Sequence, residues 1–312
     1  MIFTTPASEA LEKYLRLDNG FGSGFKSRVV DLLLTKSVVP GFSATTLQLM
    51  ELAQNPNTSI KEFARVISFD PALALRCIKA ATSVGAGGRN ISTVEQAIMY
   101  IGVREMQQVA ISAGVMDRFG HLQTRVDWDQ YWMHSILVAR LTHKIAACFR
   151  DTRGTEYLGG LLHDTGKLLL QNYFAPEYEH VLADAAASRR PHHEVEREIL
   201  GLDHAQIGAA MCHAMGVHTR VINGVLYHHR PTCTDSIKAP ISENGLLAAS
   251  IAVANGVAKL CAHGFQCNEE LPPLEEMEEW HHLANFESRS SLDIDVATEH
   301  EQAQSDLEAL RS

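Results

Sequence analysis

The chain has 312 residues, which is enough for one large domain or two modest ones, and its apolar content of 46% is ample for a buried core. Its 27 Lys and Arg residues against 37 Asp and Glu residues give a net charge of −10, and no block of basic residues stands out. This balance argues against nucleic acid or an anionic membrane as the main partner.

The cysteines and the N-terminus predict a reduced, cytoplasmic protein. The six cysteines contain no CxxC pair, so a thiolate metal site is not expected. The N-terminus shows no basic region leading into an apolar run, and no segment approaches eighteen uninterrupted apolar residues. We therefore expect no membrane span.

The first 120 residues carry a succession of helix signals, and period-two alternation is nearly absent. The signals are, in chain order, a Ser59 and Glu62 capping box, a helix start at Asp70-Pro71, and a second capping box at Ser92 and Glu95. We predict a helical N-terminal segment over residues 1–37 and a helical sub-bundle over 38–120.

A polar stretch around residues 119–129 indicates a boundary before a second helical part over residues 121–264. Residues 265–312 are strongly acidic and are predicted to be a helical tail, with a last helix near 295–310. For this tail we favour a solvated face or a frayed end over a specific binding surface. The predicted fold class is all-α.

The most informative stretch runs from Gly159 to Lys167, where His163 and Asp164 are adjacent in an apolar segment. An ionised Asp is costly to bury unless it is paired or coordinates a metal, and a neighbouring imidazole is a suitable second ligand. If the segment is helical, His163 and Lys167 leave it from one face. Alternatively, the stretch is a helix end at which Asp164 caps and His163 is a core residue.

Further histidines lie in apolar settings. His134 lies on the apolar stripe of a predicted helix, where a hydrogen-bonded core histidine is the alternative to a metal ligand. His204 precedes Gly208 by one turn, where the missing side chain allows another element to approach closely. The His228-His229 doublet ends an apolar segment. Two other doublets, His192-His193 and His281-His282, have polar surroundings and are predicted to be solvated surface.

In order and approximate spacing, these histidines and Asp164 resemble the ligand series of the HD metal-dependent phosphohydrolase superfamily. More closely, the chain resembles the HDOD family (HD-related output domain), whose members mostly serve in bacterial signalling. The residues that carry this resemblance are Asp70 to Leu73, Ser92 to Gly102, Tyr131 to His134, Gly160 to Lys167, Gly201 to Ala205, and His228 to Pro231.

The resemblance implies a multi-helix bundle of HD-domain type with an added N-terminal helical sub-bundle, together forming an HDOD-like domain over residues 38–264. It also implies a site for one or two divalent ions. The implied ligands are His134, His163, Asp164, His204, His228 and His229. Five imidazoles and one carboxylate suit Fe, Mn or Zn better than Mg or Ca.

Three departures bear on activity. HD proteins usually end the ligand series with an Asp, and the corresponding segment here offers Asn255, a weaker neutral ligand. The Glu that can precede the first His by four residues in HD-GYP phosphodiesterases, which hydrolyse cyclic di-GMP, is Gln130. Their Gly-Tyr-Pro loop is replaced by Arg230 to Asp235.

Two functions therefore remain open. The first is a signalling module with a degenerate HD-type site and little or no hydrolase activity, whose partners are signalling proteins or a nucleotide ligand. The second is a metal-dependent phosphodiesterase acting on a nucleotide or cyclic dinucleotide, in which Asp164 and Lys167 are catalytic. The departures favour the module, whereas the retained Lys167 favours the enzyme.

Overall fold

A computed structural model describes residues 6–17, 22–35, 41–55, 57–83, 91–120, 122, 126–152, 154–230, 243–261, 263–265, 271–283 and 294–311. Within these ranges the regular elements are α-helices and one short 3₁₀-helix, with no strand, so the all-α prediction is confirmed. No helix in the same ranges combines the length and the apolar character that crossing a bilayer requires.

Within the described residues, seven helices precede the polar stretch. They are α1 (Pro6–Glu12), α2 (Ser23–Leu34), α3 (Ala44–Gln54), α4 (Ile60–Ser68), α5 (Pro71–Ser83), α6 (Val94–Ile101) and α7 (Val103–Phe119). Helices α3 to α7 pack on one another, whereas α1 and α2 pack on a helix of the second half, α13 (His204–Ala214).

The remaining helices follow the polar stretch. They are α8 (Trp128–Ala147), α9 (Thr155–Leu162), α10 (Thr165–Tyr173), α11 (Ala175–Ser188), α12 (His192–Leu200), α13, α14 (Thr219–Tyr227), α15 (Glu243–Leu260), α16 (Glu278–Leu283) and α17 (Val296–Arg311). Helix α8 packs on α9, α15 and α17, while α13 joins α10 to α14. This arrangement brings the histidine-bearing helix ends toward one another.

Two of the three predicted helix starts are correct. The Ser59 hydroxyl accepts a hydrogen bond from the backbone N–H of Glu62, and Asp70 caps α5. The second capping box is wrong by one residue, because the N-cap of α6 is Thr93, whose hydroxyl accepts from the N–H of Gln96. The Gln96 side chain in turn accepts from the N–H of Ser92.

The acidic C-terminal stretch ends in a helix, as expected, but α17 is not a solvated tail. Its Glu299 and Asp306 are buried and form ion pairs with Arg140 of α8, at 2.8 and 3.0 Å. Glu105 of α7 is a third carboxylate paired with the same guanidinium. One buried cation thus ties α17 and α7 to α8. Composition alone indicated solvent exposure because the arginine that neutralises these carboxylates lies more than 150 residues away in the sequence.

Removal of the Arg140 charge should destabilise the fold strongly. We expect Arg140→Met to lower the free energy of unfolding by about 3–5 kcal/mol, because buried carboxylates lose their counter-charge. The matched control is Arg76→Met, which removes the pair between Arg76 and the half-exposed Asp117 and should cost about 0–1 kcal/mol. Urea unfolding followed by circular dichroism measures both, and equal losses would contradict the structural importance of Arg140.

The same cluster should make stability depend on pH. Burial, and then the charge of Glu105, raise the pKa of Asp306 from 3.8 to about 7 despite the opposing effect of Arg140. The stability that a raised pKa contributes is present below the unfolded value and is lost as pH rises through the folded value. Asp306→Asn mimics the neutral form, so its stability relative to the wild type should increase between pH 4 and pH 8. Unfolding curves at several pH values measure this difference, and a flat difference would contradict the assignment.

Candidate metal centre

The His163-Asp164 pair lies at a break between two helices. Helix α9 ends at Leu162 and α10 begins at Thr165, so the stretch is not one continuous helix. Asp164 occupies the N-cap position of α10, but its side chain makes no capping hydrogen bond. The alternative in which Asp164 serves as a helix cap is therefore wrong, and its carboxylate is directed elsewhere.

Two glycines bring α10 against α13. A Cβ atom on Gly166 would lie 2.0 Å from the carbonyl oxygen of His204, and one on Gly208 would lie 3.2 Å from the Gly166 nitrogen. A larger residue at position 166 would collide with backbone that cannot easily move. This contact between α10 and α13 places the His204 side chain beside Asp164. It is the close approach of another element that was predicted at Gly208.

Asp164 is fully buried and is surrounded by cationic or imidazole groups. Its Oδ2 accepts a hydrogen bond from Lys167 Nζ at 2.7 Å. The same oxygen lies 3.5 Å from His163 Nε2 and 3.7 Å from His134 Nε2, and Oδ1 lies 3.1 Å from His204 Nε2. Residues from α8, α10, α13 and the α9–α10 break thus meet at one carboxylate.

His228 and His229 approach the same place from the end of α14. The Nε2 atoms of His229 and His204 are 2.8 Å apart, and the ring centroids of His228 and His163 are 5.3 Å apart. All six residues predicted as ligands therefore lie together in the structure. They form two sets, His204 with His228 and His229, and His134 with His163 and Asp164, and within each set the ligand atoms lie within 4.8 Å of one another.

Hydrogen bonds to the backbone orient three of the imidazoles. The Nδ1–H of His134 donates to the carbonyl oxygen of His263 at 2.8 Å. The Nδ1–H of His163 donates to that of Gly160 at 2.7 Å, and the Nδ1–H of His228 donates to that of Val225 at 2.6 Å. Each opposite Nε2 is then unprotonated, and all three are buried without a hydrogen-bond partner in the described part of the chain. This pattern is typical of histidines that hold a metal.

Glu196 orients the fourth imidazole, and the sequence analysis missed it. Its Oε2 accepts hydrogen bonds from both the Nδ1 and the backbone N–H of His204, each at 2.7 Å. The sequence signal available for Glu196 was its place beside Val195, because Val195, Glu196 and Leu200 are the buried residues of α12. A carboxylate behind a ligating imidazole raises its basicity and fixes its ring.

Burial and neighbouring charges shift the pKa values of the groups in the site in opposite directions. Burial opposes ionisation of Asp164, but His163, Lys167 and His204 outweigh it and hold its pKa well below the usual value. Burial lowers the pKa of His134 to about 3 and that of His163 to about 4. Burial also acts on His204, but Glu196 and Asp164 raise its pKa to about 9.

The donor set fits a divalent ion of borderline softness. Imidazoles, three of them with free Nε2 atoms, and one ionised carboxylate are the ligands that Fe, Mn and Zn accept, and each set of three leaves coordination positions open. His204 would have to lose its proton to serve as a ligand. Lys167, predicted to be catalytic if the protein is active, is buried and bonded to Asp164. Asn255 is buried on α15, and its Oδ1 accepts no hydrogen bond within the described residues.

One doublet prediction is wrong. His192 and His193 are not solvated surface, because His193 stacks on His229 with ring centroids 3.9 Å apart and the Nε2 of His192 is buried without a partner among the described residues. Their polar sequence neighbours face outward, while α12 turns the doublet inward. The segment after the His228-His229 pair, where the Gly-Tyr-Pro loop is replaced, lies outside the described residues from position 231 onward.

Solved structures with a similar fold come from several bacteria. An HDOD domain protein of unknown function from Geobacter sulfurreducens is 21% identical, with a TM-score of 0.70 over 92% of this chain and 97% of that one. A candidate signal transduction protein from Marinobacter aquaeolei VT8 is 18% identical, with a TM-score of 0.70 over 97% and 69%. A candidate phosphohydrolase from Shewanella amazonensis SB2B is 19% identical, with a TM-score of 0.61 over 90% and 97%. At these identities the likeness shows the fold.

Sequence comparison identifies the family. An uncharacterized protein of Treponema pallidum is 25% identical over 211 residues, which are 65% of this chain, and the chain spans only about 40% of the length of that relative. The sequence model of the HDOD domain family matches residues 39–231, which is well over half of the chain. The chain therefore belongs to the HDOD family.

Proposed function

We propose that this protein is a metal-binding signalling module whose HD-type site has little or no hydrolase activity. One observation carries the proposal. The single carboxylate among the six converging ligands is already ion-paired with the buried Lys167 at 2.7 Å. Two divalent ions would therefore face five imidazoles, none of which carries a negative charge, and a carboxylate whose charge is neutralised.

The charge balance disfavours a fully loaded metal pair. Bringing two doubly charged ions together in a buried site requires anionic ligands that offset their repulsion. Asn255, which stands where HD proteins usually carry an Asp, supplies only a neutral amide oxygen. The site formed by His134, His163 and Asp164 should thus bind its ion more weakly than an HD site with both carboxylates. A two-metal hydrolysis needs both ions, so partial loading lowers the rate.

A signalling role agrees with the relatives. The family resemblance implies bacterial signalling, and the similar protein of Marinobacter aquaeolei is described as a candidate signal transduction protein. In this role the ions, Fe, Mn or Zn, would fix the ends of α8, α10, α13 and α14 relative to one another. The partners would be signalling proteins or a nucleotide ligand that recognises this metal-stabilised arrangement.

A second function is supported by the convergence of both ligand sets. If two ions were held, the protein would be a metal-dependent phosphodiesterase acting on a nucleotide or cyclic dinucleotide. The ions would supply Lewis-acid polarisation of the phosphate oxygens. Asp164 would bridge the two sets, and Lys167 would have to leave Asp164 to contact the phosphate.

Metal affinity should depend on Glu196. We expect Glu196→Gln to weaken metal binding by about 10–100-fold, because the amide holds His204 less firmly and lowers its basicity. The matched control is Glu198→Gln on the same helix, since Glu198 is exposed and, among the described residues, pairs with Arg190. Chelator competition with elemental analysis measures both, and an unchanged affinity in Glu196→Gln would contradict the site.

Cyclic di-GMP hydrolysis should be absent or very slow in protein purified without chelator. We expect Asn255→Asp to raise the metal content per chain before it raises any activity, because it adds the missing negative charge. Elemental analysis and a phosphodiesterase assay on the same sample test both points. Asn57→Asp, at an exposed position between α3 and α4, is the control for a non-specific effect of added charge.

A different result would favour the phosphodiesterase. Robust turnover by the unmodified protein, abolished by Asp164→Ala, would show a working hydrolase. Absence of any bound divalent ion after purification without chelator and after reconstitution would contradict both functions.

A further inference from the structure

A cavity of about 300 Å³ lies between the N-terminal helices and the second half of the chain. Helices α3 and α7 form one wall, and α8 with the start of α9 forms the other. The residue of α8 that lines the cavity is His143. It follows His134 by nine residues, which is about 14 Å along a helix. The cavity is therefore separate from the candidate metal centre.

The lining of the cavity is polar and positively charged. Arg104 and Asn55 are exposed and stand at its mouth, whereas Gln108, His143 and Tyr157 are buried and form its floor. The described lining residues include no carboxylate, although the chain as a whole has a net charge of −10. Arg104 makes no ion pair with a carboxylate in the described ranges, so its guanidinium can bind an anion from solution.

His143 contributes a neutral side chain to the wall of the cavity. It is 5% exposed, and its Nδ1 is buried without a hydrogen-bond partner among the described residues. Its Nε2 is 3.4 Å from the Thr152 hydroxyl, a weak contact. Burial and the charges of Arg104, Lys144 and Arg140 lower the pKa of His143 to about 4, so the ring is neutral at pH 7. A neutral ring on the cavity wall suits the uncharged, polar body of a ligand rather than its anionic group.

The start of α7 adds donors at the mouth. Its first two residues, Val103 and Arg104, line the cavity, and the preceding Gly102 has no side chain with which to cap the helix. The first N–H groups of a helix have no acceptor within it, and together with the helix dipole they favour anions, especially phosphate. Gly102 has a φ of 89°, which a residue with a side chain rarely adopts, so this open end is built into the backbone.

We propose that this cavity binds a small phosphomonoester with a polar body, of about the size of a pentose phosphate. The phosphate contacts Arg104 and the N-terminus of α7. The hydroxylated body reaches inward to the amides of Gln107 and Gln108, beside the neutral ring of His143. The volume is at the lower end of the range for small-molecule sites, which favours a small metabolite over a dinucleotide.

Calorimetric titration of the full-length protein in phosphate-free buffer tests this site. The probes are inorganic phosphate, ribose 5-phosphate and succinate, a dicarboxylate of similar charge. We expect ribose 5-phosphate to bind more tightly than inorganic phosphate, and succinate to bind more weakly than either. Absence of binding for both phosphates at about 10 mM, beyond ordinary metabolite affinities, would overturn the proposal. Tighter binding of succinate would overturn the choice of phosphate.

Three variants locate the binding. Arg104→Gln should weaken ribose 5-phosphate binding about tenfold or more, because it removes a charge-assisted hydrogen bond. Gln107→Trp should abolish binding by filling the cavity without a change of charge. Arg118→Gln, in the last turn of the same helix and away from the cavity, is the matched control and should bind like the wild type.

The variants also separate this site from the metal centre. Binding that persists unchanged in both Arg104→Gln and Gln107→Trp would place the phosphate elsewhere, including at bound metal, and would overturn the proposal. Melting curves followed by circular dichroism establish that each variant is folded. Because Arg104 is exposed, its substitution is not expected to unfold the protein, so loss of binding in that variant reports on the site.

Discussion

The fully buried carboxylate of Asp164 is the constraint on which the second half of the structure depends. An ionised carboxylate without partners is too costly to bury, so the groups that satisfy it must arrive together. Lys167 is supplied locally, one turn further along α10. The other partners come from distant elements, His134 from α8 and His204 from α13. The fold therefore has to bring three helix segments to one point before Asp164 can remain charged.

Backbone atoms carry much of this arrangement. Carbonyl oxygens at helix ends receive the Nδ1–H groups of three imidazoles, so the orientation of each ring depends on the helix geometry around it. The contact at Gly166 places the backbone of α13 directly against that of α10. A site built in this way is rigid before any ligand binds, because few of its members can rotate without losing a buried hydrogen bond.

The order and type of the candidate ligands could be predicted from sequence because histidines on apolar stripes are locally unusual. His134 follows the helical period of its neighbours, and His228-His229 closes an apolar segment, so each is visible within a short window. The helical fold class is visible for the same reason. The position of Glu196 behind His204, the inward-facing His192-His193 doublet and the burial of α17 are not visible in this way. Each depends on a partner that is distant in sequence or on how a helix is rotated about its axis.

Local composition fails most clearly where charges neutralise each other over long distances. Glu299 and Asp306 belong to an acidic stretch, and pairing with Arg140 stabilises both in their buried positions, with Lys144 as a further partner of Glu299. The same limit applies to Asp164, for which the local sequence left helix capping open as an alternative to metal binding. A short stretch of sequence shows the sign of a charge but not the distant residue that pairs with it. Buried polar networks are therefore the part of a fold that sequence patterns describe least well.

Helix α8 connects all of these networks. His134 faces the candidate metal centre, Arg140 holds α17 and α7, and His143 lines the cavity beside the N-terminal helices. These residues lie within ten positions of one helix that is packed against α9, α15 and α17. A displacement of α8 at the cavity would have to break buried ion pairs or move α17 and the candidate metal ligands with it. The N-terminal helices are thus joined to the candidate metal centre through a rigid element, which is the physical requirement for one site to influence the other.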